Sequence, residues 1–84
     1  MSLFHSLLLS LLLLPMLAVA EPVNINTADA ATLSRELKGV GETRARAIVE
    51  HRAQHGPFRS VDELALVKGI GPKVIEQNRA KLRT

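Results

Sequence analysis

The sequence predicts an all-α, compact tandem helix–hairpin–helix domain of four to five short helices, preceded by a signal peptide. Three observations carry this. The run Leu37-Lys38-Gly39-Val40-Gly41 returns 30 positions later as Val67-Lys68-Gly69-Ile70-Gly71, with the same order of apolar residue, lysine, glycine, β-branched residue and glycine. Each copy lies between two short stretches of helical periodicity. Start and stop signals punctuate the chain where those helices should begin and end: Asp29, Gly56-Pro57, Ser60 and Pro72.

The leader comes first. Leu7 to Ala20 is almost wholly apolar, broken by Ser10 and Pro15, and ends in Ala18-Val19-Ala20, the small-x-small pattern of a secretory cleavage site. Residues 1–20 therefore read as a cleaved signal peptide and 21–84 as the mature domain. The rival reading is an uncleaved anchor. The apolar run is shorter than the roughly 18 to 20 residues a spanning helix needs, so no stable membrane insertion is expected after cleavage.

Glu21 to Asn26 is an extended lead-in in which Val23 and Ile25 alternate with Asn24 and Asn26. No partner strand is evident, so the arm is expected to lie on the helices. Helix one follows, with Asp29 its best cap because Thr32 falls at the third helical position. Leu33 and Leu37 face one way. The hairpin at 37–41 stops it. Helix two runs from about Glu42 to Gln54, with Ala45, Ile48, Val49 and Arg52 marking one face, and Gly56-Pro57 ends it. Phe58, the one aromatic residue after the leader, should plug the core. Ser60-Val61-Asp62-Glu63 reads as a capping box opening helix three, whose inner side should be Val61, Leu64, Ala65 and Val67. After the hairpin at 67–71, Pro72 starts helix four, where its missing N–H costs nothing. That helix is expected to reach about Leu82.

Composition excludes several classes. All 11 Lys and Arg and all 8 Asp and Glu follow Ala20, so the net charge of +3 belongs to the mature segment, of which 24 residues in 64 are apolar. There is no cysteine, hence no disulfide and no lipoprotein attachment. The absence of Trp and Tyr disfavours base stacking, the usual grip on single-stranded nucleic acid. No paired-carboxylate, Ser–His–Asp or Cys–His arrangement is present, so no catalysis and no cofactor are expected. His51 and His55, four apart on one helix, lack a third metal ligand.

The repeated hairpins carry the positive argument. Two glycines around an aliphatic residue form a tight turn that another molecule can approach closely, and the helix after the second glycine presents unpaired N–H groups, a site for an anion such as phosphate. Val40 and Ile70 should turn inward and pin each turn. Two phosphate-sized sites in so small a domain fit a partner with two similar parallel features, such as the two backbones across the minor groove of a duplex.

On these residues the chain resembles a known family. VNINTA, GxGxxxAxAI from Gly39, GPF before a capped helix, and KGIGPK, behind a leader, are similar to the tandem helix-hairpin-helix domain of the ComEA family of competence DNA receptors, over essentially all of 21–84. The resemblance implies an exported, periplasmic protein that binds double-stranded DNA without sequence preference during uptake in natural transformation, with possible oligomerisation on DNA. Carried onto this sequence, the DNA-binding groups are the backbone around Gly39, Val40 and Gly41 and around Gly69, Ile70 and Gly71. Thr43 and Lys73 assist early in the following helices, and Lys38, Arg44 and Lys68 supply charge. Glu42 departs from Pro72 in the second copy and should weaken the first hairpin. Asn78 stands where the repeat has Ile48, which leaves either a frayed helix four or a polar partner for Asn78. The alternative function is an exported protein–protein interaction module docking on an uptake pilus or an inner-membrane channel. Its contacts would spread over an apolar surface rather than gather at the hairpins.

Overall fold

A computed structural model describes residues 21–84. The leader expected at 1–20 lies outside the described residues. The element order is β1 (Val23–Asn24), α1 (Ala30–Glu36), α2 (Glu42–His55), a 3₁₀ helix (Val61–Leu66), α3 (Pro72–Asn78) and β2 (Leu82–Arg83). Within these residues the fold is thus the expected helical one, with four helices in two helix–hairpin–helix halves and a minimal strand pair joining the two ends of the described segment.

Apolar spacing sets the helix faces. Ile25, Leu33 and Ile48 are fully buried, and Val23, Leu37, Val40, Ala45, Phe58, Leu64, Val67, Ile70 and Ile75 complete one core shared by both halves. Asp29 caps α1 as expected, accepting from the Thr32 amide at 2.8 Å. This backbone hydrogen bond is the main reason the Asp29 carboxyl lies below its ordinary pKa. Phe58 is buried. Its amide donates to Asn26 Oδ1 at 2.7 Å and its carbonyl accepts from Asn26 Nδ2 at 3.0 Å. The GPF turn is thereby stitched to the lead-in arm.

Several expectations are corrected. The arm does have a partner strand: β1 pairs in parallel with β2, Val23 opposite Leu82 and Asn24 opposite Arg83. The amides of Val23 and Ile25 donate to the carbonyls of Lys81 and Arg83 at 2.7 and 2.9 Å. These two residues are buried, so their amides need acceptors. Supplying them stops helix four at Asn78 rather than Leu82. Arg52 secures the other end of the arm by donating to the carbonyls of Ile25 and Ala28 at 2.9 and 2.7 Å.

Helix three is a 3₁₀ helix. Three residues per turn place Val61, Leu64 and Val67 on one side, facing the core, and turn Ala65 outward. The capping box does not form as expected. Ser60 makes no side-chain cap bond, and Glu63 Oε1 accepts from the Arg59 amide instead of that of Ser60.

Candidate nucleic-acid interface

The two hairpins close the same way. The Val40 amide donates to the Leu37 carbonyl at 3.4 Å, and the Ile70 amide to the Val67 carbonyl at 3.0 Å. The third residue of each turn is the first glycine, and both have positive φ: 75° at Gly39 and 91° at Gly69. That conformation is the one a type II turn asks of its third residue, and it favours glycine. Val40 and Ile70 drop their side chains into the core. Their amides close the turns, so their part is to fix the shape of the hairpin.

The second glycine of each pair is different. Gly41 has φ −78° and Gly71 has φ −105°, ordinary extended values, and a Cβ at either position would meet nothing within 4 Å. Neither backbone conformation nor crowding among the described residues calls for glycine there. Each is the N-cap of the helix that follows, without a side-chain cap bond. The first-turn amides of α2 and α3 have no acceptor within their own helices. Pro72 contributes no N–H in the second copy. A glycine at this position leaves the amides open and the approach to them clear.

The hairpins lie side by side and interlock through equivalent positions. A Cβ on Gly39 would stand 3.5 Å from Val74 Cγ2, and one on Gly69 would stand 3.1 Å from Arg44 Nε. Residues 44 and 74 are 30 apart, so each hairpin's first glycine faces the third residue of the helix launched by the other. Arg44 also donates from Nη1 to the Gly39 carbonyl at 3.0 Å. Its side chain therefore lies across both turns. Thr43 and Lys73, one residue earlier in the two helices, are exposed, as are Lys38 and Lys68.

Charge sorts in the same direction. Arg35, Arg46 and Arg79 are ion-paired, with Glu36, with Glu42, and with Asp62 and Glu76 respectively. Those two carboxylates raise the Arg79 pKa further above its ordinary value. Arg52 and Lys81 donate to backbone carbonyls. Of the remaining Lys and Arg, Lys38, Arg44, Lys68 and Lys73 flank the hairpins, and none has a carboxylate within ion-pair distance among the described residues. The same holds for Arg59 and Arg83 elsewhere, and Arg44, like Arg52, donates to a backbone carbonyl. Glu42, beside the first hairpin, is held by Arg46 one turn on, which offsets part of the repulsion expected there.

Away from this face, the His51 ring stacks on Phe58 with centroids 5.2 Å apart and 9° between planes, and lies 4.6 Å from His55. Among the described residues no cluster of three His, Cys, Asp or Glu side chains could hold a metal. Asn26 bonds to Phe58 and Asn78 to Lys38, each far along the chain. Both are internal ties with long-range partners, and no local pattern names a partner so distant.

The fold and the paired turns define a tandem helix–hairpin–helix protein. A family model described as helix-hairpin-helix motif matches residues 19–83, and the chain belongs to that family. An uncharacterized protein of Haemophilus influenzae is 41% identical over 64 residues, covering 76% of this chain and 57% of that protein. The ComE operon protein 1 of Bacillus subtilis is 37% identical over 60 residues, covering 71% of this chain and 29% of that one, and the chain is ComEA-like in this sense. The endonuclease/exonuclease/phosphatase family domain-containing protein 1 of Mus musculus is 44% identical over 57 residues, 68% of this chain and 10% of its own. The chain spans little more than half of the first of these relatives and a tenth of the last. The match to the murine protein covers so little of it that its enzyme-like name does not transfer.

Proposed function

We propose that residues 21–84 bind double-stranded DNA through its phosphate backbone, without sequence preference and without catalysis. The observation that carries this is the pair of uncapped, uncrowded helix starts at Gly41 and Gly71, set side by side and flanked by cations that have no carboxylate partner among the described residues. Backbone amides and helix N-termini hold phosphate oxygens and read no bases, while Lys and Arg add a salt-dependent attraction. The ComEA-like sequence supports a setting in which the chain is exported to the periplasm by residues 1–20, released by cleavage after Ala20, and receives incoming DNA during natural transformation. Docking on uptake or pilus machinery calls for an apolar surface. Among the described residues Leu66, 67% exposed, is the one large apolar side chain left out of the core, and a single such residue is ordinary.

Binding is tested by competing labelled duplex against unlabelled duplex and single strand, then recovering the DNA. Preferential displacement by duplex, with the recovered duplex intact, is the expected result. Nicked or base-free product would replace the binder with an enzyme, and no duplex binding by folded protein would end the proposal. Export is tested by mass spectrometry of the periplasmic fraction, where the mature chain should begin at Glu21.

A further inference from the structure

We propose that Asn78 is a positioning residue for the DNA-binding face, fixing the first hairpin at a set offset from the second. The inference rests on the DNA-binding reading above. Asn78 is 3% exposed and is the one buried polar residue among the described residues. In the repeat it stands where Ile48 stands, so packing at this point is served by a hydrocarbon in the other half. A polar side chain in such a place is costly unless its hydrogen bonds are made.

Those of Asn78 are made to a specific target. Its Oδ1 accepts from the Lys38 amide at 2.8 Å, and its Nδ2 donates to the Lys38 carbonyl at 2.9 Å and to the Val74 carbonyl at 2.8 Å. Both polar groups of Lys38's backbone are thus held by one side chain. Lys38 is the second residue of the first hairpin's turn. Asn78 closes α3, the helix that starts at the second hairpin. The amide therefore ties the entry of one hairpin to the helix launched by the other.

Apolar contact is non-directional, whereas these bonds fix the orientation of the Lys38 peptide, and with it the exit of the Lys38 side chain and the start of the Gly39–Gly41 bend. Two hairpins that must meet two phosphates gain affinity when their spacing is set in advance, because less ordering is required on binding.

The test compares the wild-type chain, Asn78→Leu and a core control, Ile75→Val, which trims the packing of α3 and leaves the Asn78–Lys38 hydrogen bonds in place. In the absence of DNA, Asn78→Leu should speed hydrogen exchange at the Lys38 and Val40 amides by about tenfold or more while leaving Ile70 unchanged. Its duplex affinity should fall by about tenfold, and that of Ile75→Val should stay near wild type. Wild-type binding matched by Asn78→Leu would overturn the role of Asn78 alone. Failure of the wild type to bind duplex would overturn the DNA reading and the proposal with it. Should Asn78→Leu not fold, the wild type still decides. Its Lys38 amide should be protected like that of Ile70, and exchange at the rate of an exposed loop would refute the tie.

Discussion

Replacing Gly41 and Gly71 together by serine should make the protein more stable and a poorer DNA binder. Both positions have N-cap backbone angles, and a Cβ at either meets open space. Serine is a better N-cap than glycine by a few tenths of a kcal/mol, because its hydroxyl accepts from a first-turn amide. Removing glycine also lowers the entropy of the unfolded chain, worth about 0.4–1 kcal/mol per site. The gain is therefore about 0.5–1.5 kcal/mol per site. The same hydroxyl occupies an amide that phosphate would use and puts atoms in the path of the backbone. Losing one hydrogen bond to a charged group costs about 1.5–3 kcal/mol, which is roughly ten- to a hundredfold in affinity for each hairpin. Urea melts and fluorescence anisotropy on labelled duplex measure the two effects on the same samples. Stability rising while duplex affinity is unchanged would show that the helix starts do not touch DNA.

Three further outcomes follow from the same geometry. Gly69→Ala, forced to φ 91° with its Cβ 3.1 Å from Arg44 Nε, should lose about 1–2 kcal/mol in a urea melt; an unchanged midpoint would contradict the turn geometry. Phe58→Ala should cost about 3–5 kcal/mol, enough to unfold much of a marginal domain, read as loss of helical circular dichroism. The Asp29 carboxyl is lowered in the folded state by its bond to the Thr32 amide. Its stabilising effect is present above the unfolded carboxyl pKa and is lost as pH falls through the folded value. Asn at this position keeps the acceptor but does not titrate. The melting temperature of Asp29→Asn, measured against that of wild type, should therefore gain as pH drops below about 4; parallel curves would remove the carboxylate cap.

Much of this fold was legible because its determinants are local. The repeated glycine pairs, the Asp29 cap and the inward turn of Val40 and Ile70 each depend on residues within a few positions of one another. What escaped is non-local or depends on a small change of period. A two-residue strand has no pattern of its own, and β2 exists because the buried amides of Val23 and Ile25 need acceptors from the far end of the chain. Helix three carried apolar residues at both α and 3₁₀ spacings, and Ala65 faces out because the tighter period prevails. For Asn78 the sequence left two outcomes open, and the structure shows the polar partner to be Lys38. Arg52, read as part of a helix face, holds the arm through carbonyls that no motif identifies. At the hairpins, the sequence marks the glycines and the cations beside them. The distinction between the first glycine, required by its φ, and the second, required by nothing inside the described fold, lies in backbone angles and neighbouring atoms that no residue pattern encodes.

The proposed binding sets two hairpins on a few phosphates of a duplex regardless of sequence. It is tested most directly by a salt titration of residues 21–84 on two unrelated duplexes and one matching single strand. Equal duplex affinities, weaker single-strand binding and a log–log slope of about −2 to −4 are predicted. Affinities that differ between the duplexes, or binding that does not weaken with salt, would contradict a phosphate-backbone grip.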